Sequence, residues 1–424
     1  MARSLAKDSI PTGWKYDLLD KFATRCSGHT PSKSFPEYWD GGIKWISLAD
    51  SSRLDKGYVF ETDKEISEVG IANSSAELHP AETVVLTRDA GIGKSGVMAV
   101  PMAVSQHFIA WKCDNKEKLN SWFLYNWLQL NKAEFERQAV GSTIKTIGLP
   151  YFKKLKIAVP PYIEQKKIAQ ILSTWDKAIT TNEQLLANSQ QQKKAIMQQL
   201  LTGKRRLLDK NGVRFSGRWN FSHLSELGTT YSGLTGKTKD DFGKGKPYIP
   251  YINIFRNSRI DLNALEKVNI SSDEKQAQVR YGDVFFTTSS EVPEEVGMSS
   301  VLLEHTEELY LNSFCFGFRL SSFEVLQPEY ARYLFRSEQV RRAISVMGQG
   351  ATRYNLSKKQ LMKLELNLPP IAEQQKIAAV LSAADQEIFA LQQKLEALKQ
   401  EKKALMQQLL TGKRRVKIDD KEFI

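Results

Sequence analysis

The sequence predicts an α+β fold: two tandem mixed α/β domains joined by two long helices that pair as an antiparallel coiled coil, with pseudo-two-fold symmetry. Three observations carry this prediction. Residues 160–206 match residues 369–415 at a constant offset of 209, with 27 of 47 positions identical and no gap. Both blocks place apolar residues at alternating steps of four and three. The remaining stretches alternate short β-type runs with polar, Gly- or Pro-containing turns. The chain divides accordingly into a first domain (1–157), a central helix (158–206), a second domain (207–366), a C-terminal helix (367–415) and a tail (416–424).

In the first domain IKWISLAD (43–50) and ETVVLT (82–87) read as strands and WFLYNWLQLN (122–131) as a helix. Their counterparts in the second are PYIPYINI (247–254), GDVFFT (282–287) and the helical PEYARYLFRSEQVRRAI (328–344). The two domains are diverged copies: GWKYDLLDKFATRCSG (13–28) resembles RWNFSHLSELGTTYSG (218–233), and residues 141–161 lie over 350–370. A duplicated scaffold under one geometric requirement keeps its sequence, whereas two surfaces with different targets do not.

Each helix starts after a Pro-Pro pair and ends near Leu-Thr-Gly, where Gly203 or Gly412 can take the left-handed cap conformation. At 1.5 Å per residue, about 38 residues make a rod of roughly 57 Å. The seam of the central helix runs Ile168, Leu172, Trp175, Ile179, Asn182, Leu186, Ser189, Lys193, Ile196, Leu200. That of the C-terminal helix runs Ile377, Leu381, Ala384, Ile388, Leu391, Leu395, Leu398, Lys402, Leu405, Leu409. Polar Asn182, Ser189 and the matched Lys193 and Lys402 either fix register, contact another protein, or reach solvent past the seam. An antiparallel pairing puts one domain at each end, a spacer holding two heads a fixed distance apart. The Lys-Arg-Arg after each glycine suits a helix C-terminus electrostatically.

Sixty Lys and Arg against 48 Asp and Glu give a net charge of +12, which favours a polyanionic partner such as nucleic acid. The N-terminal residues lack the apolar core of a signal peptide, and no run approaches the length of a membrane span, so a cytoplasmic protein is expected. Cys26, Cys113 and Cys315 are odd in number and lack metal-ligand spacing, which fits buried thiols in a reducing compartment.

Candidate DNA contacts sit in polar loops after the strands, because Arg, Lys, Asn, Ser and Thr donate to base edges and phosphates. In the first domain they are Thr87, Arg88, Lys94 and Ser95, then Ser142, Thr143 and Lys145. In the second they are Arg256 and Asn257, then Thr287, Thr288, Ser289 and Ser290, then Thr352, Arg353, Tyr354 and Asn355. Trp39, Trp45, Trp111, Trp122 and Trp127 lie in or beside apolar runs and read as core rather than stacking platforms.

Catalytic motifs fail one by one. DAGIGKSG (89–96) has the Gly93-Lys94-Ser95 of a phosphate-binding loop, but Arg88 stands where the first glycine is needed and a poor helix follows. Val159-Pro160-Pro161-Tyr162 resembles an amino-methyltransferase motif whose first residue is Asn or Asp; here valine removes the hydrogen-bonding group, and no glycine-rich loop for S-adenosylmethionine follows a strand. His29, His79, His107, His223 and His305 carry no ligand spacing, so no metal site is expected, and no nuclease-type carboxylate set stands out.

The duplicated Pro-Pro-x-x-Glu-Gln-x-Lys-Ile-Ala blocks (160–169, 369–378), the Leu-Ser and Asp after each, and the duplicated Met-Gln-Gln-Leu-Leu-Thr-Gly-Lys-Arg-Arg endings (197–206, 406–415) give the chain a recognisable pattern. Over nearly its whole length it resembles the specificity subunit of type I restriction-modification enzymes. The resemblance implies two target-recognition domains, each reading half of a split, asymmetric sequence in double-stranded DNA, with the helices setting the unread spacer. It also implies two methylation subunits that bring S-adenosylmethionine, and motor-nuclease subunits that bring ATP and Mg, with no catalysis and no cofactor in this chain. The rival readings are a free-standing methyltransferase or nuclease, which the missing motifs oppose, and a coiled-coil bridge whose heads bind proteins.

Overall fold

The computed structural model describes residues 10–141, 145–350 and 352–418. The chain forms two compact units, Met1–Glu183 with Gln393–Ile424, and Gln184–Gln392. Each combines one globular domain with part of both long helices, so the units cut across the linear segments read from the sequence.

In the first unit a five-stranded sheet takes the order Thr24–Ser27, Phe108–Lys112, Val84–Thr87, Ser95–Met98, Tyr58–Val59. Lys64–Ile66, Trp39–Ile46 and Ala103–Val104 form a second sheet, and Lys15–Leu18 pairs antiparallel with Lys156–Val159, the strand that feeds the central helix. The second unit repeats this plan. Its four-stranded sheet runs Gly228–Ser232, Cys315–Leu320, Val284–Thr287, Ser299–Val301; Glu266–Val268, Phe242–Ile249 and Tyr310–Leu311 form the second sheet; and Asn220–His223 pairs with Glu365–Leu368.

Three elements differ from the sequence reading. The strand expected over 43–50 ends at Ile46, because Ser47 and Asp50 form a reciprocal capping box that starts a 3-10 turn at Leu48. The strand expected over 247–254 stops at Ile249, where Pro250 takes the N-cap of the helix Tyr251–Arg256. The helix expected over 328–344 is two, Pro328–Leu334 and Glu338–Ser345, since the Ser337 side chain accepts from Val340 N and caps the second.

The long helices run Tyr162–Leu200 and Ile371–Leu409, 39 residues each. Both end on a left-handed glycine, Gly203 (φ +71°) and Gly412 (φ +67°), with Arg205 N donating back to Gln199 O and Arg414 N to Gln408 O. Every seam residue is buried or half-buried. The matched seam lysines find matched aspartates. In the first unit Lys402 pairs with Asp176 and Lys399 with Glu183; in the second Lys193 pairs with Asp385 at 2.5 Å, and Ser189 donates to Glu387. Rising numbers on one helix meet falling numbers on the other, which is antiparallel packing within each unit. Asn182 is buried, its amide nitrogen donating to Ala178 O one turn back.

The helices belong to the domain cores. Ile168, Leu172, Met406, Leu409 and Leu410 pack with Trp111, Phe123 and Phe152 in the first unit. Leu200, Leu201, Ile377 and Leu381 pack with Phe286, Phe316, Tyr330 and Phe335 in the second. Truncating one such leucine to alanine costs about 2–5 kcal/mol.

The repeated Glu-Gln and Lys-Arg-Arg motifs build one lock twice. Arg415 meets the buried Glu164 through two nitrogens, each 2.6 Å from a carboxylate oxygen, donates to Thr12 O, and lies over the Trp14 ring. Arg206 meets the buried Glu373 at 2.5 and 2.6 Å, donates to Gly217 O, and lies over Trp219. Beside each glutamate a buried glutamine ties the helix start to its domain. Gln165 donates to Lys118 O and Pro160 O and accepts from Asn120 N; Gln374 donates to Val325 O and Pro369 O and accepts from Gln327 N. Two-nitrogen arginine–carboxylate pairing fixes direction as well as distance, so each lock sets the angle at which its domain leaves the helix pair.

Candidate nucleic-acid interface

Among the candidate reading residues, Thr87, Arg88, Lys94, Ser95, Thr287 and Thr288 lie at or beside the ends of the central sheet strands, and the fold sorts the described candidates into frame and surface. Thr87 is fully buried, its hydroxyl donating to Gly91 O at 2.7 Å and accepting from Lys94 N. Thr287 is fully buried and accepts from Met298 N at 2.9 Å. Ser95 is fully buried, with its hydroxyl accepting from Gln129 Nε2 at 2.8 Å. These three therefore correct the sequence reading: their side chains are committed to shaping the loops and cannot reach a base edge while the fold is intact.

What the frame of the first domain presents is a tight hairpin. Ala90, Gly91 and Gly93 all take positive φ, and the hairpin is held by Asp89 bridging Thr146 and by His107 Nδ1 at 3.0 Å from Asp89. Ile147 N donates to Arg88 O, so the 145–147 segment is clamped onto the hairpin. The result is an open depression of about 580 Å³ where Lys94, Lys145 and Lys132 converge beside Glu136. Lys132, which opens the helix Lys132–Gln138, pairs with Asp55 at 2.6 Å at the rim of this depression. Arg88 is half-buried, and its Nε has no partner among the described residues. Ser142 and Thr143 lie outside the described residues.

The second domain presents a short ladder instead. Ser289–Ser290 pairs antiparallel with Tyr354–Asn355, and Thr288 and Leu356 extend the contact through Leu356 N donating to Thr288 O. Arg353 Nε reaches Ser289 Oγ at 3.2 Å, and Asn355 Nδ2 donates to Arg353 O. Thr352, Arg353 and Asn355 are exposed, and Phe314 stands 63% exposed on the neighbouring turn. Arg256 and Asn257 are not brought to this ladder. Their helix turns its first residue toward it, Tyr251 OH donating to Ser289 O, while Asn257 O is bound by Arg336 and the adjoining Ser258 by Arg332. Arg336 donates to four backbone carbonyls and Arg341 to three, and burial brings both guanidinium pKa values down to about 10, still charged at neutral pH. Neither had a sequence signal that separates it from a surface arginine.

The motifs that look catalytic are absorbed into the frame. Ser95 opens a strand rather than a helix, and Lys94 Nζ donates to the Ser51 carbonyl and hydroxyl, so no phosphate cradle forms at 89–96. The Pro160 and Pro369 carbonyls accept from Gln165 and Gln374, which occupies the oxygen an amino-methyltransferase motif would turn to its substrate. Trp45 and Trp111 are buried, and Trp39, Trp122 and Trp127 half-buried with edge-on aromatic contacts. Among the described residues no helix is long and apolar enough to cross a membrane. Cys26, Glu77 and His79, distant in sequence, come together in the first domain. Burial and the nearby Lys112 lower the His79 pKa, and burial raises that of Cys26.

A family model for the type I restriction modification DNA specificity domain matches residues 11–188 and again 217–400. The chain is 23% identical over 443 residues to the type I restriction enzyme MjaVIII specificity subunit of Methanocaldococcus jannaschii, covering 96% of this chain and 94% of that one. It is 24% identical over 394 residues to the type I restriction enzyme EcoKI specificity subunit of Escherichia coli, covering 88% and 82%. The crystal structure of the type I restriction-modification system S subunit from M. genitalium superposes with a TM-score of 0.54 at 14% identity, over 98% of this chain and 99% of the other. Two matches to one domain, lying over two frames of the same strand plan and two corresponding locks, place this chain in the type I restriction-modification DNA specificity family.

Proposed function

We propose that the chain is the DNA-reading subunit of a type I restriction-modification complex in the cytoplasm, each domain reading one half of a bipartite, asymmetric target. The observation that carries this reading is the contrast between frame and surface: twin frames with corresponding locks hold up a lysine-lined hairpin in one copy and an Arg-Asn-Ser-Thr ladder in the other. Exposed Arg353 and Asn355 have the forked donors and amide that read base edges, and Lys145 suits a phosphate. The helix pair sets the unread spacer. Methylation and cleavage belong to partner subunits, two for methylation together with the motor-nuclease subunits, which bring S-adenosylmethionine, ATP and Mg.

Matching heptads inserted after Glu183 and after Gln392 test the ruler, since these positions correspond across the repeat. Seven helical residues add about 10.5 Å, roughly three base pairs of spacing. Assembled with its methylation partner, the lengthened chain should direct methylation to the same two half-sites with a longer spacer. A changed half-site at constant spacer overturns the proposal, and turnover by the purified chain alone would favour a free-standing enzyme.

A further inference from the structure

The first domain gathers three metal-type side chains at the edge of its five-stranded sheet. Cys26 lies on the edge strand Thr24–Ser27, while Glu77 and His79 lie on the segment leading to Val84–Thr87, where His79 bridges Met102. The thiol sulfur, a carboxylate oxygen and an imidazole nitrogen all fall within 4.8 Å of one another. His79 is fully buried, and among the described residues neither of its ring nitrogens has a hydrogen-bond partner. A buried imidazole ordinarily satisfies both. The other two are weakly engaged: Cys26 Sγ sits 3.6 Å from Thr24 O, and Glu77 meets Lys112 Nζ at 3.4 Å.

The second domain shows what the same place looks like when the protein satisfies itself. Tyr231 holds the position of Cys26 in the repeat. Its phenol donates to Asp283 at 2.6 Å, and Arg319 grips that carboxylate at 2.9 and 2.6 Å while lying over the Tyr231 ring at 4.9 Å. Phenol, carboxylate and guanidinium close on one another there. In the first domain thiol, imidazole and carboxylate converge without closing, and this donor set suits a borderline-soft divalent ion while disfavouring the hard cations Mg and Ca.

We propose that Cys26, Glu77 and His79 form a zinc site, with water in the fourth position. Bond lengths of about 2.0–2.3 Å set ligand-to-ligand contacts of roughly 3.3–3.8 Å, so the three groups close by about 1 Å on binding. Exposed Glu77 is free to make that movement. The ion ties the edge strand to the His79 segment and replaces Lys112 as the partner of Glu77.

The test uses the full chain, stripped with a chelator and titrated with zinc chloride, then with cobalt chloride as an optical probe. One zinc per chain is expected, with a thiolate-to-cobalt charge-transfer band and tetrahedral visible absorption. Cys26→Ser should abolish the band and weaken zinc by more than about tenfold, the lower end of what outer-sphere partners alone contribute. Glu77→Gln should weaken zinc and keep the band, and Cys113→Ser should change neither. None of the three variants alters the buried His79, so loss of folding does not confuse the result, and circular dichroism checks this directly. Zinc retention equal to that of Cys26→Ser, a cobalt band that survives Cys26→Ser, or unchanged affinity in Glu77→Gln overturns the site.

Discussion

At the ends of the long helices the same arginine, glutamate, glutamine and tryptophan assemble twice, whereas the sheet ends 87–95 and 287–299 share little beyond a buried threonine and a buried serine that opens the next strand. The shared arginine, glutamate and glutamine spend their polar atoms inside the protein. The differing ones face solvent. Divergence between the copies thus follows side-chain exposure, and the threonine is the informative exception, kept in a variable loop because its hydroxyl shapes that loop in both domains. The locks themselves are not quite equal. Arg206 is 20% exposed against 42% for Arg415, and Trp219 Nε1 donates to Glu373 at 3.2 Å whereas buried Trp14 Nε1 has no partner among the described residues.

That inequality predicts the largest effects. Arg206→Ala leaves Glu373 buried, charged and unpaired, at a cost of about 3–5 kcal/mol. Arg415→Ala opens a path for water to Glu164 and should cost less, about 1–3 kcal/mol. Calorimetry on each variant reads both, and equal losses would show that the two locks do not differ in solvent access. Next comes Trp219→Phe, which removes a hydrogen bond to a carboxylate and should cost about 1.5–3 kcal/mol. Trp14→Phe removes a donor that has no acceptor and should be close to neutral; a matching loss in both variants would mean that packing, not the indole N–H, decides.

The surfaces should respond in DNA binding rather than in stability. For the assembled complex, Arg353→Ala should weaken binding by about 1–3 kcal/mol and relax specificity in one half-site only. Lys145→Ala should weaken all sequences alike and lower the salt slope by about 1. Competition binding against randomised half-sites separates the two, and relaxed specificity from Lys145→Ala would move that lysine from phosphate to base.

The helices were legible because a period sustained over 39 residues, written twice and bounded by Pro-Pro and Gly, leaves few alternatives. The locks were not. Glu373 and Arg206 lie 167 residues apart, and Lys-Arg-Arg reads locally as a favourable helix end. Thr87, Ser95 and Thr287 have the composition of a polar loop, and only strand register shows that they sit inside it. The run 328–344 keeps a helical pattern through Ser337, which ends one helix by capping the next. Cys26, Glu77 and His79 meet only because the edge strand and the segment before Val84 converge in space.

The smallest expected effect tests the seam at one turn of the C-terminal helix. Lys399 and Lys402 each pair with an acid of the central helix within the first unit, yet Lys399 and Glu183 are 47% and 48% exposed while Lys402 is 17% exposed. An exposed pair gains little, because water screens the attraction and two long side chains lose freedom. Lys399→Ala should therefore change stability by less than about 0.5 kcal/mol. Lys402→Ala also strips the packed stem from a seam position and should cost about 1 kcal/mol or more. If urea unfolding gave the reverse order, Lys399 rather than Lys402 would lie on the seam, and the pairing of both matched lysines with their aspartates would have to be reassigned together.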